Sequence, residues 1–264
     1  MRIFNEINDA DMILLGVGEE FDVGMSVLEK TEIYQIFNSK IIRENLNEDD
    51  YAWMYPIMLT YAIEHEEICK DIICAYDNLK KLIGDKKYFI ITMNMDSLIF
   101  NAGFNEKYIT APFGTYKRIQ CDLNCNNKLF DSANYVSAVS QLILDTNTPL
   151  NGVQQEICDD CKGAVVANTI NATKYNELGY IHSWEEYQHW LMGTVNKKLL
   201  MIELGVKMQY SKIVREAFEK ILAYNNKARL LCVGEFVFHV DETLKDRCIS
   251  YGINSVEFLR SVTN

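Results

Sequence analysis

Prolines are scarce: Pro56, Pro112 and Pro149 are the only ones in 264 residues, and no Ser/Gly-rich stretch accompanies them. That composition lacks the marks of a disordered tail or a flexible interdomain linker. Long apolar runs are missing too. No segment approaches the roughly 20 consecutive apolar residues that span a bilayer, so no membrane partner is expected. Within the first fifteen residues the longest apolar stretch is Met12 to Leu15, with no basic segment ahead of it, so no secretory leader is expected and a cytoplasmic location is. Positive charge is thin: 26 Lys and Arg against 37 Asp and Glu give a net charge of −11, and the pI is about 4.9. Adjacent basic residues come only in pairs, such as Lys117-Arg118, far short of a nucleic-acid-binding stripe, so nucleic acid is not an expected partner. The acidity reads as a solubility device. Histidine is rare as well. His65, His182, His189 and His239 have no spacing that suggests a metal site or a triad, and His182 and His189, which flank Trp184, are expected at the surface.

What is present is ordinary globular material, 48% apolar and 24% charged, enough for one large α/β domain with or without a small insert. There is no internal repeat. A short apolar run at Asp11–Leu15, without alternation, predicts a parallel strand buried on both faces, ending at Gly16 and followed by a glycine turn. Lys87–Thr92, Leu199–Leu204 and Arg229–Val233 predict further strands, and 236–240 a fifth. Between them the 3.6-residue period predicts helices over Glu64–Ile83, with Ile68, Ile72, Tyr76, Leu79 and Ile83 on one stripe and Gly84 as its cap, over Ser183–Met192, over Lys212–Tyr224 and near Asn254–Val262. Ser183 and Glu186 have capping-box spacing. Strands alternating with helices imply a doubly wound parallel sheet, Rossmann-like, at 1–109 and 176–264. Residues 110–175, rich in Cys and Asn, read as a small inserted module, and the helical stretch before Gly84 as a second insert. Trp53, with Tyr51 and Tyr55, is read as a core aromatic cluster.

Two cysteine pairs carry the most specific local signal. Cys121 and Cys125 are separated by three residues, and Cys158 and Cys161 by two, in Cys-Asp-Asp-Cys. Each pair puts two thiolates on one tight turn, and two such turns complete the tetrahedron of a structural zinc ribbon. Four ordinary thiols are the alternative. Cys69, Cys74 and Cys232 are read as small core residues.

Gly16-Val17-Gly18 sits where a phosphate-binding loop belongs, but Glu19, Glu20 and Asp22 follow at once. Carboxylates there suit a helix N-terminus and repel a pyrophosphate, so the loop alone does not fix a ligand. Thr92-Met93-Asn94-Met95-Asp96 lies at the carboxyl end of a strand, where open α/β sheets bind ligands. Asn94 and Asp96 could hold a ribose or an amide there, or simply cap the next helix.

In this order the pieces resemble the sirtuin family: the glycine loop at 16–24, Thr-Met-Asn-Met-Asp at 92–96, Asn-Ala-Gly-Phe at 101–104, Phe113-Gly114, the four cysteines, and Glu203-Leu204-Gly205-Val206. The resemblance covers roughly residues 10 to 235. It is strongest to the macrodomain-linked branch, which shares the Cys-x3-Cys pair and the Glu-Leu-Gly-Val strand end; Ile-Val-Arg-x-x-Phe at 213–218 adds to it.

The resemblance implies a Rossmann domain with NAD or ADP-ribose as ligand and a structural zinc. It also implies transfer of ADP-ribose to an acceptor protein rather than deacetylation. Gly16, Val17, Gly18, Glu20, Phe113, Gly205 and Val206 would border the NAD, Asn94 and Asp96 would act on it, and Cys121, Cys125, Cys158 and Cys161 would hold zinc. The departures cut against turnover. Phe113 stands where the family has a histidine, or a glutamine in the macrodomain-linked branch. Phenylalanine can neither take a proton nor accept a ribose hydroxyl. Glu20 replaces the serine of the loop, Lys207 replaces a glycine, and Val233-Gly234 stands where the family has an asparagine. Two functions are therefore open. One is an ADP-ribosyltransferase or NAD glycohydrolase working through Asn94 and Asp96. The other is a pseudoenzyme that binds a partner protein.

Overall fold

Strand β1 (Met12–Val17) is buried at all six positions. Its side chains alternate between two cores: Ile13, Leu15 and Val17 enter one, Met12 and Leu14 the other. A strand covered on both faces needs apolar residues at every position, which is why its sequence does not alternate. The computed structural model describes residues 2–207, 211–236 and 241–262. In it, β1 is central to a six-stranded sheet ordered β3 (Ile109–Thr110), β2 (Lys87–Thr92), β1, β7 (Leu199–Leu204), β8 (Arg229–Val233), β9 (Cys248–Tyr251). All five neighbouring pairs are parallel. The chain builds outward from β1 in one direction, then returns to build in the other. The reversal lies between β1 and β7, the topological switch point at which such sheets bind ligands.

The expected strands at 87–92, 199–204 and 229–233 have those bounds. The first runs two residues further than expected. Gly16 and Val17 pair with Ile91 and Thr92 on one side and with Glu203 and Leu204 on the other, so Gly16 is a strand residue and not part of a turn. The strand expected at 236–240 falls on residues of which 237–240 lie outside the described ones. Two strands of the sheet, β3 and β9, have no counterpart among the expected ones.

The helix expected over 64–83 is two helices, α4 (Tyr55–His65) and α5 (Lys70–Ile83). The chain is extended at Glu66 and left-handed at Cys69 (φ 61°). Glu66 leaves the helical path because its carboxylate caps α3 (Glu32–Glu44), accepting from the backbone N–H of Glu32 (2.7 Å) and Ile33 (3.1 Å). A cap of this kind contributes on the order of 1 kcal/mol. Gly84 caps α5 as expected, at φ 54°. The capping box at Ser183 is not formed. Helix α8 starts earlier, at Ile181, and Ser183 Oγ donates to the Tyr180 carbonyl instead (2.8 Å). Helix α9 (Arg215–Tyr224) begins later than expected, after a turn at 211–214, and α10 (Ser255–Ser261) is capped by Asn254. Cys74 is exposed and Cys69 half-buried, so of the three cysteines assigned to the core only Cys232 is there.

A second, antiparallel sheet is ordered β5 (Leu129–Asp131), β4 (Gly114–Cys121), β6 (Val165–Thr169). It comes from the stretch expected to form the inserted module. Helix α7 (Ala133–Leu144), from the same stretch, packs on α3 and α4. The contact is fastened by Lys40 of α3, which is 2% exposed. Its ammonium donates to three carbonyls beyond the end of α7 or in its last turn: Leu142 (3.0 Å), Asp145 (2.7 Å) and Thr148 (2.9 Å). One turn on, the Glu44 carboxylate accepts from the N–H of Leu150 (2.9 Å) and Asn151 (3.0 Å). Among the described residues no helix is long and apolar enough to cross a membrane.

One ion pair lies inside the parallel sheet's flank. Glu203 of β7 (2% exposed) accepts from Nε (2.6 Å) and Nη2 of Arg215, the first residue of α9 (4% exposed). Removing one partner of such a pair leaves a buried charge uncompensated, at a cost of about 3–5 kcal/mol. Arg215→Met is therefore expected to lower the unfolding free energy, read from urea curves, by that amount, and a second change, Glu203→Gln, to recover part of the loss. Equal stability of Arg215→Met and the parent would show that the pair contributes nothing.

Candidate functional site

At the switch point two loops meet almost backbone to backbone. Gly18 N donates to the Leu204 carbonyl (2.8 Å), and a Cβ on Gly18 would lie 2.4 Å from Val206 Cα. Only glycine allows that approach. Gly16 is glycine for a different reason: a Cβ there would lie 2.3 Å from Val214 Cγ1, ahead of α9. Gly205 turns the chain at φ 63°, and the Glu20 side chain lies against it. Val17 and Val206 are buried in opposite cores.

The acidic residues after Gly18 have assigned places. Glu20 Oε1 accepts from Glu235 N (2.8 Å), and its Oε2 accepts from Ser255 N (2.6 Å) and Ser255 Oγ (2.7 Å). Glu19 Oε2 accepts from Lys207 N (2.8 Å), while its Oε1 is buried without a partner. Burial raises the Asp22 carboxyl above the usual range, Glu19 raises it further, and Lys207 works against both. Ser255 and Glu235 were not identified from the sequence. They meet Glu20 across more than 200 residues, and no motif spans that distance.

At the end of β2, Asn94 and Asp96 are each 4% exposed. Asp96 accepts from Leu98 N (2.8 Å), as an Asx cap of α6 (Leu98–Asn101), and from Val23 N (2.8 Å), which ties it to the acidic loop. Its pKa is pushed up to about 7, by burial first and by Asp22 as well, against the two backbone donors. Oδ1 of Asn94 has no hydrogen-bond partner; its amide nitrogen faces the buried Tyr76 hydroxyl, whose pKa it lowers against the upward pull of burial. Buried amides are rarely left so, because an unmade hydrogen bond costs about 1–3 kcal/mol. Tyr116, held to Met95 O through its N–H (2.9 Å), has its hydroxyl pKa raised by burial and by Asp22 and Asp96. Phe113 is half-buried against the core that holds Met93 and Val206, and its carbonyl accepts from Ile170 N (3.0 Å). The site thus has an acidic half around Glu20 and an amide half around Asn94, joined through Asp96 and Val23.

The four cysteines converge. Their Sγ atoms all lie within 4.8 Å of one another, with Cys121–Cys161 at 3.4 Å and Cys125–Cys158 at 3.5 Å. Four sulfurs bound at 2.3 Å in a tetrahedron sit roughly 3.8 Å apart, so the cluster is compatible with a structural zinc. Asp160 accepts from Asn126 Nδ2 (2.5 Å) and pairs with Lys128, and it takes no part in the cluster.

Two outcomes follow. A strong chelator should lower the melting temperature, and elemental analysis should find about one zinc per chain; a metal-free chain with unchanged melting would refute the zinc site. Asp96 is an acid whose folded pKa, about 7, lies above the ordinary 3.8, so the folded state holds a proton that the unfolded chain has released. That contribution is present in full at low pH and is lost as pH rises toward 7. Asp96→Asn should flatten this fall by a few kcal/mol, read from urea curves at pH 4.5 and 7.5; parallel profiles would contradict it.

No family model matches the chain. A protein ADP-ribosyltransferase of Staphylococcus aureus (strain Mu50 / ATCC 700699) is 21% identical over 260 residues, covering 92% of this chain and 80% of the relative. Among solved structures, Sir2Tm bound to a propionylated peptide superposes with a TM-score of 0.54 at 18% identity, covering 98% of this chain and 94% of the other. Sir2 bound to an acetylated peptide gives 0.55 at 17%, over 98% and 94%. Sir2 with a p53 peptide and NAD+ gives 0.54 at 15%, over 98% and 95%. The chain has the sirtuin fold, a parallel six-stranded sheet with a four-cysteine ribbon module, on a sequence far diverged from those proteins.

Proposed function

We propose that this chain binds a nicotinamide nucleotide of the NAD type through Asn94 and Asp96, and that it turns the nucleotide over slowly or not at all. The observation that carries the binding half is the Asn94 amide, buried with its Oδ1 unpartnered. A carboxamide ligand offers the N–H donor that this oxygen lacks. Near neutral pH Asp96 is poised between its acid and its anion, so it can donate to or accept from an amide or ribose hydroxyl. Gly16, Val17, Gly18, Gly205 and Val206 would line the crevice at the switch point. Residues 1–109 and 176–264 would form the nucleotide-binding part and 110–175 the zinc module.

The slow-turnover half rests on Phe113. No side chain there can take a proton or orient a ribose hydroxyl. The chain's role is then to present a ligand-dependent surface to a partner protein, in the cytoplasm.

A second reading, transfer of ADP-ribose to a protein, has its own support. The Staphylococcus aureus relative is named for that reaction. Breaking a nicotinamide–ribose bond passes through an oxocarbenium-like state, which carboxylates stabilise by charge alone. Asp22 and Asp96 could provide that charge.

Calorimetric titration with NAD and with nicotinamide is the first test. Asn94→Ala should weaken either at least about tenfold, the cost of losing a buried hydrogen-bonding amide. Unchanged affinity in Asn94→Ala would remove the basis of the binding proposal. Phe113→Gln should raise release of labelled nicotinamide from NAD. Brisk release by the parent, lowered by that change, would favour the transferase.

A further inference from the structure

Glu20 is bound as a ligand would be. Its carboxylate receives three donors from two separate segments: the N–H of Glu235 after β8, and both the N–H and the hydroxyl of Ser255 at the start of α10. Ser255 is fully buried, so its hydroxyl is placed for this contact. The side chain lies across Gly205, whose Cα would carry a Cβ only 2.4 Å from Glu20 Cβ, and Oε1 reaches to 3.4 Å from the corresponding point on Gly234. These glycines end β7 and β8, on the side of the sheet where a dinucleotide would lie.

The geometry points to Glu20 as an internal occupant of the crevice, an acidic plug that competes with the diphosphate of a dinucleotide for the same donors and so weakens its binding. This rests on the proposal that the crevice takes a nicotinamide nucleotide. The serine of related loops is short and neutral. Glu20 is longer and charged, and it takes up three donors that an anionic ligand group would otherwise use. A diphosphate entering here must break those bonds and meet the carboxylates of Glu19, Glu20 and Asp22 on one loop. Like charges at such distance in a partly buried site cost heavily. Lys207 lies near Asp22 and offsets part of this negative charge. The site's specificity would therefore be for the nicotinamide end of a ligand over its phosphates.

Calorimetry on the full chain separates this idea from the one it rests on. Nicotinamide, ADP-ribose and NAD are each titrated into the parent, Glu20→Gln, Glu20→Ser and Ser255→Ala, with melting curves for every variant. Gln keeps the size of Glu and removes its charge; Ser removes the plug. The expected result is ADP-ribose affinity raised at least about tenfold in both Glu20 variants and a few-fold in Ser255→Ala, with nicotinamide affinity changed less than about twofold. Glu20 variants that melt like the parent and bind ADP-ribose no better would overturn the plug, as would micromolar ADP-ribose binding by the parent that weakens on Glu20→Gln. If both Glu20 variants fail to fold, Ser255→Ala decides, and no gain there overturns it. Loss of the nicotinamide signal with the ADP-ribose gain intact would instead sink the Asn94 proposal and leave the plug standing.

Discussion

The contact of Gly18 with Gly205 and Val206 fixes most of what the site can be. A Cβ on Gly18 would meet the opposing backbone at 2.4 to 2.7 Å, so the loops leaving β1 and β7 touch with nothing between them. That approach sets the direction in which residues 19–23 leave the strand. Glu20 is thereby laid over Gly205, Glu19 is brought to the Lys207 amide, and Val23 N is delivered to Asp96. A substitution at Gly18 would part the loops and release all three contacts together. The acidic loop is therefore held at both ends, by the glycine contact at its start and by Asp96 at its finish.

Charge and desolvation pull against each other along this loop. Burial disfavours ionised Asp22 and Asp96; Glu19 raises Asp22 further, and Asp22 raises Asp96. Only the backbone donors of Leu98 and Val23 favour the Asp96 anion. A ligand carrying positive charge would relieve that tension, and one carrying phosphates would increase it. A nicotinamide ring joined to ribose is cationic, so the two ends of a dinucleotide are judged differently by the same loop.

The sheet was legible in the sequence because burial on both faces leaves unbroken apolar runs, and Lys87–Thr92, Leu199–Leu204 and Arg229–Val233 were located to the residue. The cysteine cluster was legible because its ligands come as close pairs. The helical region was less so. An apolar stripe continued through Glu66–Cys69, and nothing local showed that Glu66 would turn aside to cap a helix more than thirty residues earlier. Gly16 was misread as a turn residue because close packing against Val214 and the freedom of a turn call for the same amino acid. Glu20 was recognised as an anomaly, but its partners Glu235 and Ser255 carry no signal of their own. The most informative contacts of the site are those between segments far apart in the chain, where sequence patterns have no reach.

The Lys40 ammonium has a mechanical consequence. Its three carbonyl partners lie in the last turn of α7 and on the segment that follows it, and Glu44 holds the next residues of that segment. Pulling α3 away from α7 would strip a buried cation of every acceptor it has among the described residues, an expensive separation. Helix α3 and the stretch that carries α7 are therefore coupled, so that neither can shift without the other. Trp53 and Tyr135, whose rings stack with centroids 6.4 Å apart, add an aromatic contact between the helical insert and that same stretch, so a substitution at either ring acts on both.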